Sequence, residues 1–426
     1  MYRLNDLLHS TVCVRPNGIA VSDQEFVAHV SSAVGLAQEM GDRVALCFDD
    51  SYLFSVALFS CLSSKKQVVI LPNNKPETLK RFNQEFDSVF TEEAFLKLES
   101  VEPLEIQIPK NASMTYFTSG SSGVPKKISK CFENLYCEVI ELEKTFGSEQ
   151  KIDLFVATVT HQHIYGSLFK ILWPIVAGRA FYSQTIEYPE GLYFISQNFA
   201  LVTTPAFLKR FYTDRKIKNC MAVFSSGGLL GWDAARTTIE YFGVSPIEVY
   251  GSTESGGVAY RKRVTEEQKW TPFSCVEFSV SSEGELSIKS PYFNEPKLLM
   301  GDRVEPFEDG FHLVERWDDV VKVEEKRISL LEINSKVVES EFVQESVTVA
   351  LEDSGRQQTA SLIVLSHRGK EVLEQFGESY VVKELRNHLV QYFEAIVVPR
   401  KFRFVASLPY NSQSKLPKAE VERYFL

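Results

Sequence analysis

The chain has 426 residues, 44% of them hydrophobic and 12% aromatic, which suffices for packed cores in two or three domains. Its formal net charge of −10 argues against a nucleic-acid-binding protein, because such proteins usually carry a basic surface. The sequence holds no run of about 18 apolar residues, so no membrane span is predicted.

Seven cysteines are present, and none of them forms a Cys-x-x-Cys pair. They lie mostly in apolar runs, which favours buried free thiols in a reducing, cytoplasmic environment over a disulfide framework. Residues 1–6 carry no signal-peptide pattern, which agrees with a cytoplasmic protein.

Helical and extended patterns alternate along the N-terminal part of the chain. Helical spacing of apolar residues predicts helices over 24–40 and 52–62, and short β-type runs predict strands over 43–48 and 68–71. Such alternation is typical of βα units, which form parallel sheets with helices on their faces.

The same alternation continues after an apolar run that ends at Phe117. A helix is predicted from Phe132 to Ile140. Further strands are predicted over 154–158, 200–203, 221–224 and 247–250, and further helices over 167–176, 206–212 and 232–242. The predicted fold class is therefore α/β, with a large domain of mixed, mostly parallel sheets flanked by helices.

Beyond residue 260 the pattern changes to β-type pieces, and the charged run 315–319 predicts a domain boundary. We expect a large domain over 1–317 and a small α+β domain over 318–426. In the small domain, helices are predicted over 328–338 and 381–393, and strands over 347–351, 362–365 and 402–405.

The segment 116–126 reads Tyr-Phe-Thr-Ser-Gly-Ser-Ser-Gly-Val-Pro-Lys. A loop of this kind between the predicted strand and helix can turn backbone N–H groups toward one point and cradle phosphate oxygens. The alternative is a flexible surface turn, the usual role of Gly/Ser clusters. The segment is not a Walker A loop, because no Gly-Lys-Ser/Thr follows at the required spacing.

A second Gly/Ser loop, residues 250–257, follows the predicted strand 247–250. Its aromatic residue Tyr250 can stack on a purine, the Thr253 hydroxyl can donate to a phosphate oxygen, and the Glu254 carboxylate suits a hard cation such as Mg²⁺. Taken alone, the segment could equally be a polar turn. Ligands collect at the carboxyl ends of parallel strands, and both Gly/Ser loops are expected to lie at such ends.

The segment 118–126 resembles the phosphate loop of the adenylate-forming (AMP-binding) superfamily, which includes acyl- and aryl-CoA synthetases, nonribosomal-peptide adenylation domains and firefly-type luciferases. It matches every fixed position of their Thr-Ser-Gly-Ser/Thr-Ser/Thr-Gly-x-Pro-Lys pattern, and residues 250–254 match Tyr-Gly-x-Thr-Glu. The resemblance implies that ATP or AMP is bound by Thr118, Ser119, Gly120, Ser121, Ser122, Gly123, Lys126, Gly228, Tyr250, Gly251, Ser252 and Thr253.

The resemblance also assigns roles around the acyl group and the metal. Glu254 is expected to hold Mg²⁺ and to act in catalysis with Thr253. His163 and Gly166 match the family's His-x-x-Gly motif, and Gly227 belongs to its Gly-Gly pair, so all three are expected to bind substrate. Read from the residues alone, the pair His161 and His163 makes only a weak metal site, because no cysteine or carboxylate pair is nearby.

Three further motifs follow in family order. Asp302 matches a Gly-Asp pair that binds ribose hydroxyls, although Met300 replaces the usual threonine. Arg316 and Arg327 match nucleotide-binding arginines of the family, and Asp318 matches its hinge residue. Glu315 replaces the glycine that normally precedes the first of these arginines, and Glu325 replaces the glycine of the family's Lys-x-x-Gly-x-Arg pattern. Composition alone would make 315–327 a solvated linker.

The segment 408–418 resembles the C-terminal motif Leu-Pro-x-Thr-x-x-Gly-Lys-Ile-x-Arg. Lys415 keeps the position of its catalytic lysine, whereas Asn411, Ser414 and Lys418 replace the threonine, glycine and arginine. An ordinary lysine near the C-terminus is the alternative.

Together these matches imply an acid–thiol ligase that uses ATP and Mg²⁺ to convert a small carboxylic acid into an acyl-adenylate. The acyl group is then expected to pass to CoA or to the phosphopantetheine of an acyl carrier protein. Aromatic content and His163 favour an aryl or apolar acid. Two alternatives stay open: a nucleotide-binding protein without ligase activity, and a P-loop NTPase, against which the absent Walker lysine argues.

Overall fold

The computed structural model describes residues 1–119, 125–147, 151–316, 320–323, 326–353, 356–409 and 418–426; of these, 119, 315–316, 320–323, 326–327, 331, 353, 356 and 418–419 are described by their backbone alone. Contacts divide the chain into two compact units. The first comprises Met1–Asn74, Arg81–Phe117 and Lys127–Trp317, and the second comprises Lys75–Lys80, Thr118–Lys126 and Asp318–Leu426.

A nine-stranded sheet forms the centre of the first unit. Six adjacent strands of it are parallel, and the outer strands at both edges pair antiparallel. In spatial order its strands are Thr271–Pro272, Gly256–Lys262, Ile247–Ser252, Cys220–Ser226, Phe199–Thr203, Leu154–Ala157, Ala180–Thr185, Thr11–Val14 and Ala20–Ser22.

A five-stranded sheet is built from strands between residues 43 and 131. The first four strands in its spatial order are parallel. In spatial order its strands are Ser88–Thr91, Arg43–Cys47, Gln67–Ile70, Ser113–Ser119 and Pro125–Cys131. The predicted class, α/β with mostly parallel sheets, is confirmed.

The helix Ser51–Ser63 lies between these two sheets and contacts both. Eleven of its residues, Ser51 to Leu62 without Leu53, are buried, as is typical of a helix that is apolar on every side. The strand Leu154–Ala157 shows the matching pattern for a sheet covered on both faces: Phe155 packs into one hydrophobic cluster and Val156 into another. Burial on both faces therefore explains the continuous apolar runs of the sequence.

Antiparallel strands complete the first unit. A four-stranded sheet consists of Glu277–Val280, Glu285–Lys289, Leu298–Phe307 and Gly310–Arg316, and a small pair joins Tyr2–Arg3 to Gln107–Ile108. A turn at Glu308-Asp309 joins the last two strands of the four-stranded sheet.

The helices that end before residue 330 are mostly short. Their bounds are Leu4–Leu7, Asp23–Glu39, Ser51–Ser63, Pro76–Arg81, Glu92–Phe95, Phe132–Leu142, Ile164–Gly166, Trp173–Val176, Pro205–Lys209 and Trp232–Phe242, with π turns Glu143–Gly147 and Ser167–Leu172 and a 3₁₀ turn Pro189–Phe194. The predicted helix over 167–176 thus contains a π turn, in which successive hydrogen bonds span one extra residue.

The C-terminal part of the second unit is a small α+β arrangement. A three-stranded sheet of Val343–Asp353, Arg356–Leu365 and Lys401–Phe404 carries the helices Leu330–Val338, His367–Phe376 and Glu378–Leu389. A strand pair, Val320–Val323 with Lys326–Ser329, precedes the first helix, and the short helices Lys418–Glu422 and Arg423–Phe425 end the chain.

One local prediction is wrong, and one helix begins two residues later than predicted. The strand Pro125–Cys131 separates the phosphate-loop segment from the helix that begins at Phe132, so that segment lies between two strands and not at a helix N-terminus. The strand escaped prediction because three lysines interrupt it, a composition typical of edge strands. The helix predicted from Ile328 begins at Leu330, because the Ser329 hydroxyl accepts the Glu332 N–H and caps it.

All seven cysteines are free thiols, three of them buried and four half-buried. Within the described part of the chain, none of the helices has both the length and the apolar character needed to cross a bilayer.

Candidate functional site

The second Gly/Ser loop is the tip of a β-hairpin. The strand Ile247–Ser252 forms the first arm of the hairpin, and the strand Gly256–Lys262 forms the second arm and pairs antiparallel with it. A side chain on Gly251 would place its Cβ 2.1 Å from the carbonyl oxygen of Gly256. Only glycine therefore lets the two arms approach this closely, which accounts for Gly251 in the motif.

Ser255 fixes the turn at the tip of this hairpin. Its fully buried hydroxyl accepts the Ser252 N–H at 2.8 Å and donates to the Gly256 carbonyl at 2.7 Å. The Ser252 hydroxyl in turn accepts the Ser255 N–H at 3.1 Å. Ser252 is thus engaged within the turn, and the half-buried residues Thr253 and Glu254 form its tip.

Tyr250 and Asp302, which lie in separate motifs, meet in the structure. The Tyr250 hydroxyl donates to Oδ2 of Asp302 at 2.7 Å, and the Tyr250 ring packs near Trp270 and Phe311, with ring centroids 5.6 and 5.9 Å away. Asp302 is only 7% exposed. The structure therefore couples the aromatic side chain expected at the purine to the carboxylate expected at the ribose.

The residues around Asp302 bring a third motif close. Gly301 precedes it with φ of +67°, a conformation that favours glycine over any L residue. On the neighbouring antiparallel strand, the backbone of Arg316 lies directly opposite Asp302. Two residues expected to bind the nucleotide sugar and phosphate therefore share one rung of the sheet.

The glycine pair lies beside Tyr250 at the same edge of the nine-stranded sheet. Gly227 and Gly228 follow the strand Cys220–Ser226, which is parallel to Ile247–Ser252. The Ser226 hydroxyl donates to the Val249 carbonyl at 2.8 Å, and Gly227 has φ of +90°. The glycine pair and the second Gly/Ser loop therefore lie at one carboxyl edge of the nine-stranded sheet, whereas the segment 116–126 begins on Ser113–Ser119, a strand of the five-stranded sheet.

A buried ion network that the sequence reading missed supports this edge. Glu248 is fully buried, and its carboxylate accepts the Leu230 N–H at 2.7 Å just beyond the glycine pair. The same carboxylate lies 2.7 Å from Arg261 and 2.9 Å from Arg263. A charged residue inside an otherwise apolar strand was the only signal for Glu248, because its partners lie in other segments of the chain.

His163 and Gly166 follow the strand Leu154–Ala157. His163 is exposed, and its carbonyl accepts the Ser167 N–H at 2.9 Å at the start of the helical segment. Gly166 is buried, and a Cβ there would lie 1.9 Å from the Thr160 carbonyl oxygen. Close backbone packing therefore requires glycine at 166, whereas His163 is exposed.

His161 is a core residue. It is 2% exposed, Nδ1 lies 3.0 Å from the Ser51 hydroxyl, and Nε2 lies 2.9 Å from the Phe48 carbonyl. Burial lowers the pKa of His161 to about 3, so its ring is neutral at physiological pH. Among the described residues no group of three or more His, Cys, Asp or Glu could hold a metal ion.

The turn nevertheless offers the donor types that Mg²⁺ prefers. Glu254 supplies a carboxylate and its neighbour Thr253 a hydroxyl, and both are hard oxygen donors. Mg²⁺ usually keeps several water ligands and takes only one or two protein carboxylates, so this small donor set fits such an ion.

The other predicted nucleotide-binding residues lie outside this hairpin. Thr118 is half-buried, the backbone of Ser119 ends the strand Ser113–Ser119, and Lys126 is exposed on Pro125–Cys131. Arg327 is described by its backbone alone, on Lys326–Ser329. The predicted residues Gly120, Ser121, Ser122, Gly123, Asp318 and Lys415 lie outside the described residues.

Comparison with known families and curated proteins gives consistent matches. The family model described as AMP-binding enzyme matches residues 62–296, more than half of the chain. A probable CoA ligase of Humulus lupulus is 23% identical over 349 residues, which is 72% of this chain but only 62% of that protein. A 3,4-dihydroxybenzoate–[aryl-carrier protein] ligase of Bacillus anthracis is 21% identical over 410 residues, 90% of this chain and 91% of that one.

Solved structures share the fold over the full length of the chain. An amide bond synthetase from Marinactinospora thermotolerans superposes with a TM-score of 0.81, covering 99% of this chain and 98% of that one. Its sequence identity is 16%, so the likeness concerns the fold alone.

Proposed function

The chain belongs to the AMP-binding enzyme family, and from this premise we propose that it activates a carboxylic acid with ATP and passes the acyl group to a thiol. The first step yields an acyl-adenylate and pyrophosphate, and the second yields a thioester and AMP. The single observation that best supports this proposal is the junction of Tyr250 with Asp302, because it unites two nucleotide motifs that are far apart in sequence.

The chemistry follows from charge. A carboxylate resists attack by a thiol, because oxide is a poor leaving group. When a carboxylate oxygen attacks the α-phosphorus of ATP, the bond from that phosphorus to the bridging oxygen breaks and pyrophosphate leaves. Both reactants are anions, so the site must neutralise negative charge as they approach.

Residues of this chain divide that task in the proposal. Glu254 and Thr253 hold the metal and the α-phosphate, and Mg²⁺ supplies charge neutralisation when it is bound. The backbone N–H groups of 118–126 and the cation of Lys126 bind the pyrophosphate end of ATP, and Lys415 stabilises the transition state. Asp302, Arg316 and Arg327 bind the ribose and the phosphate.

The class of acid is proposed from the residues expected around the acyl group, and the acceptor is proposed from the relatives and from Glu325. His163, Gly166 and Gly227 border the acyl group in the proposal, and the exposed ring of His163 suits an aryl acid. The aryl-carrier protein ligase among the relatives supports a carrier-protein acceptor, and the CoA ligase supports CoA. Glu325 replaces the glycine beside which the CoA arm passes in the family, so we propose that a carrier-protein pantetheine is the better acceptor.

The two parts of the chain take different roles in this scheme. Residues 1–317 form the adenylation domain, and 318–426 form a small lid domain that carries Lys415 and turns about Asp318 between the two half-reactions. Turning removes the lysine and admits the thiol.

Pyrophosphate exchange with a panel of aryl and aliphatic acids tests the proposal directly. We expect acid-dependent incorporation of labelled pyrophosphate into ATP, with AMP as the nucleotide product once a thiol is added. Acid-independent release of ADP would contradict it and favour an NTPase. ATP binding without exchange, for every acid tested, would favour the nucleotide-binding alternative.

The acceptor is tested by thioester formation with CoA and with a holo aryl or acyl carrier protein, in the wild type and in Glu325→Gly. We expect the carrier protein to be the faster acceptor and the glycine to improve CoA use. Efficient CoA use by the wild type, unchanged by the glycine, would contradict the choice of acceptor but not the adenylation step.

A further inference from the structure

Lys130 is a buried lysine that contacts the proposed metal loop. It is 3% exposed, on the strand Pro125–Cys131, and its ammonium group donates to the Glu254 carbonyl at 2.6 Å and to the Tyr292 carbonyl at 2.7 Å. Hydrogen bonds from a charged donor are about twice as strong as neutral ones. Lys130 therefore fixes the backbone of the residue whose side chain is expected to hold Mg²⁺.

Glu138 holds the other end of the same loop. It lies on the helix Phe132–Leu142, is 4% exposed, and its carboxylate accepts the Gly257 N–H at 2.7 Å. Asn134, one turn earlier on the helix, donates to the Pro291 carbonyl at 3.0 Å, next to the carbonyl that Lys130 holds. Residues of one strand and one helix thus form hydrogen bonds to both the loop 250–257 and the turn at 291–292.

The backbone of the loop packs closely against the side chains of Glu138 and Tyr292. Gly256 has φ of +68°, and a Cβ there would lie 2.7 Å from Oε2 of Glu138 and 2.9 Å from the Tyr292 ring. The Glu138 carboxylate and the Tyr292 ring therefore enclose the backbone at 256, and the loop has little freedom to shift.

The charges of the two residues depend on one another. Burial lowers the pKa of Lys130, and the nearby Glu138 and Glu254 carboxylates oppose that change. Burial likewise raises the pKa of Glu138 to about 6, against the Gly257 N–H and the Lys130 charge. Removing either residue would leave the other as a poorly compensated buried charge.

We propose that Lys130 and Glu138 are positioning residues that hold the loop 250–257 in the conformation that presents Thr253 and Glu254 to the nucleotide and its metal. Neither residue touches the reactants; both act through the loop backbone. This inference rests on the proposed function for its effect on ATP, but the hold on the loop itself does not depend on that function.

The first test replaces Lys130 with methionine, which keeps the aliphatic stem and removes the donors. The matched control is Lys127→Met on the same strand, since Lys127 is exposed and forms a surface ion pair with Glu85. We expect Lys130→Met to weaken MgATP binding, measured by calorimetry, by about tenfold or more. The KM for the acid should change little, whereas general destabilisation would alter both.

The second test reads the loop directly by hydrogen–deuterium exchange of the peptide that contains residues 250–257. Exchange should be faster in Lys130→Met and in Glu138→Leu, and should stay near the wild-type rate in Glu138→Gln, whose amide oxygen can still accept the Gly257 N–H. If Lys130→Met fails to fold, the comparison of Glu138→Leu with Glu138→Gln decides the matter.

Unchanged exchange in every variant that folds, or wild-type MgATP affinity in Lys130→Met, would overturn the proposal. If the wild-type protein neither binds ATP nor exchanges pyrophosphate, the proposed function fails instead, and exchange of the loop amides alone decides whether Lys130 and Glu138 hold it.

Discussion

The phenolic hydroxyl of Tyr250 donates a 2.7 Å hydrogen bond to the carboxylate of Asp302, 52 residues further along the chain. Tyr250 lies on the strand Ile247–Ser252 of the nine-stranded sheet, and Asp302 belongs to the four-stranded sheet. The bond orients a nearly buried carboxylate, so a ligand that contacts either side chain depends on both.

Replacing Tyr250 with phenylalanine should remove this bond and keep the ring. Because the Asp302 carboxylate loses a donor, we expect the free energy of unfolding to fall by about 1–3 kcal/mol. We also expect weaker binding of AMP, since the carboxylate loses its fixed orientation. Chemical denaturation and calorimetry measure the two effects. The exposed Tyr188 supplies the control, Tyr188→Phe, and equal behaviour of the two variants would contradict the role of the bond.

Gly251→Ala should disrupt the hairpin tip. Its Cβ would lie 2.1 Å from the Gly256 carbonyl oxygen, and a backbone atom cannot move aside as a flexible side chain does. We expect loss of nucleotide binding and a lower melting temperature. Gly35→Ala is the matched control: Gly35 is an exposed residue of the helix Asp23–Glu39 with open space around it, so alanine there should stabilise the protein by up to about 1 kcal/mol.

Glu254→Gln should raise the Mg²⁺ concentration required for pyrophosphate exchange several-fold. A neutral amide oxygen holds a hard dication less well than a carboxylate does. The Lys130 hydrogen bond to the Glu254 backbone should persist, so the fold should be unaffected. Exchange rate against Mg²⁺ concentration is the measurement, with the exposed Glu266→Gln as control. Superimposable curves for Glu254→Gln and the wild type would place the metal elsewhere.

His161 should make stability fall in acid. Its pKa is lowered from 6.5 to about 3 in the folded protein, so between these pH values the unfolded chain binds a proton that the folded chain does not. The free energy of unfolding should therefore lose about 1.4 kcal/mol per pH unit from this residue as the pH falls from 6.5 toward 3. His161→Asn should remove that slope in denaturation series, while the exposed His367→Asn should keep it.

Lys170 should also lower the free energy of unfolding as the pH falls, but in the alkaline range. It is fully buried, donates to the Thr185 hydroxyl at 3.0 Å, and burial lowers its pKa from 10.5 to about 7. Between these values only the unfolded chain is protonated, so stability should fall as the pH is lowered from 10 toward 7. Lys170→Met should abolish this dependence and stabilise the protein at pH 7 by roughly 1–3 kcal/mol, because an apolar side chain of similar volume suits the site.

The matched control for Lys170→Met is Lys144→Met, whose side chain is 65% exposed. It should leave both the slope and the stability unchanged. If the free energy of unfolding of Lys170→Met depended on pH between 7 and 10 as steeply as that of the wild type, Lys170 would be charged in the folded protein at neutral pH.

Most of the local elements and the nucleotide motifs were predictable from the sequence alone. Apolar periodicity located the helix Trp232–Phe242 at its observed bounds and the strand Phe199–Thr203 to within one residue, because these patterns reflect which side of each segment is buried. It failed at Pro125–Cys131, where three lysines hide an edge strand. The motif residues Tyr250 and Asp302 were each identified from the resemblance of their segments to motifs of the AMP-binding superfamily.

Only the tertiary structure decided which of these residues meet. The bond between Tyr250 and Asp302, the Lys130 contact with the Glu254 backbone and the Glu248 network each join segments that are not adjacent in the chain. Such contacts depend on the order and register of strands in the sheets, which local periodicity does not encode. The burial of Lys130 likewise results from the packing of its strand against the helix Phe132–Leu142 and the hairpin 247–262, which no local pattern around Lys130 indicates.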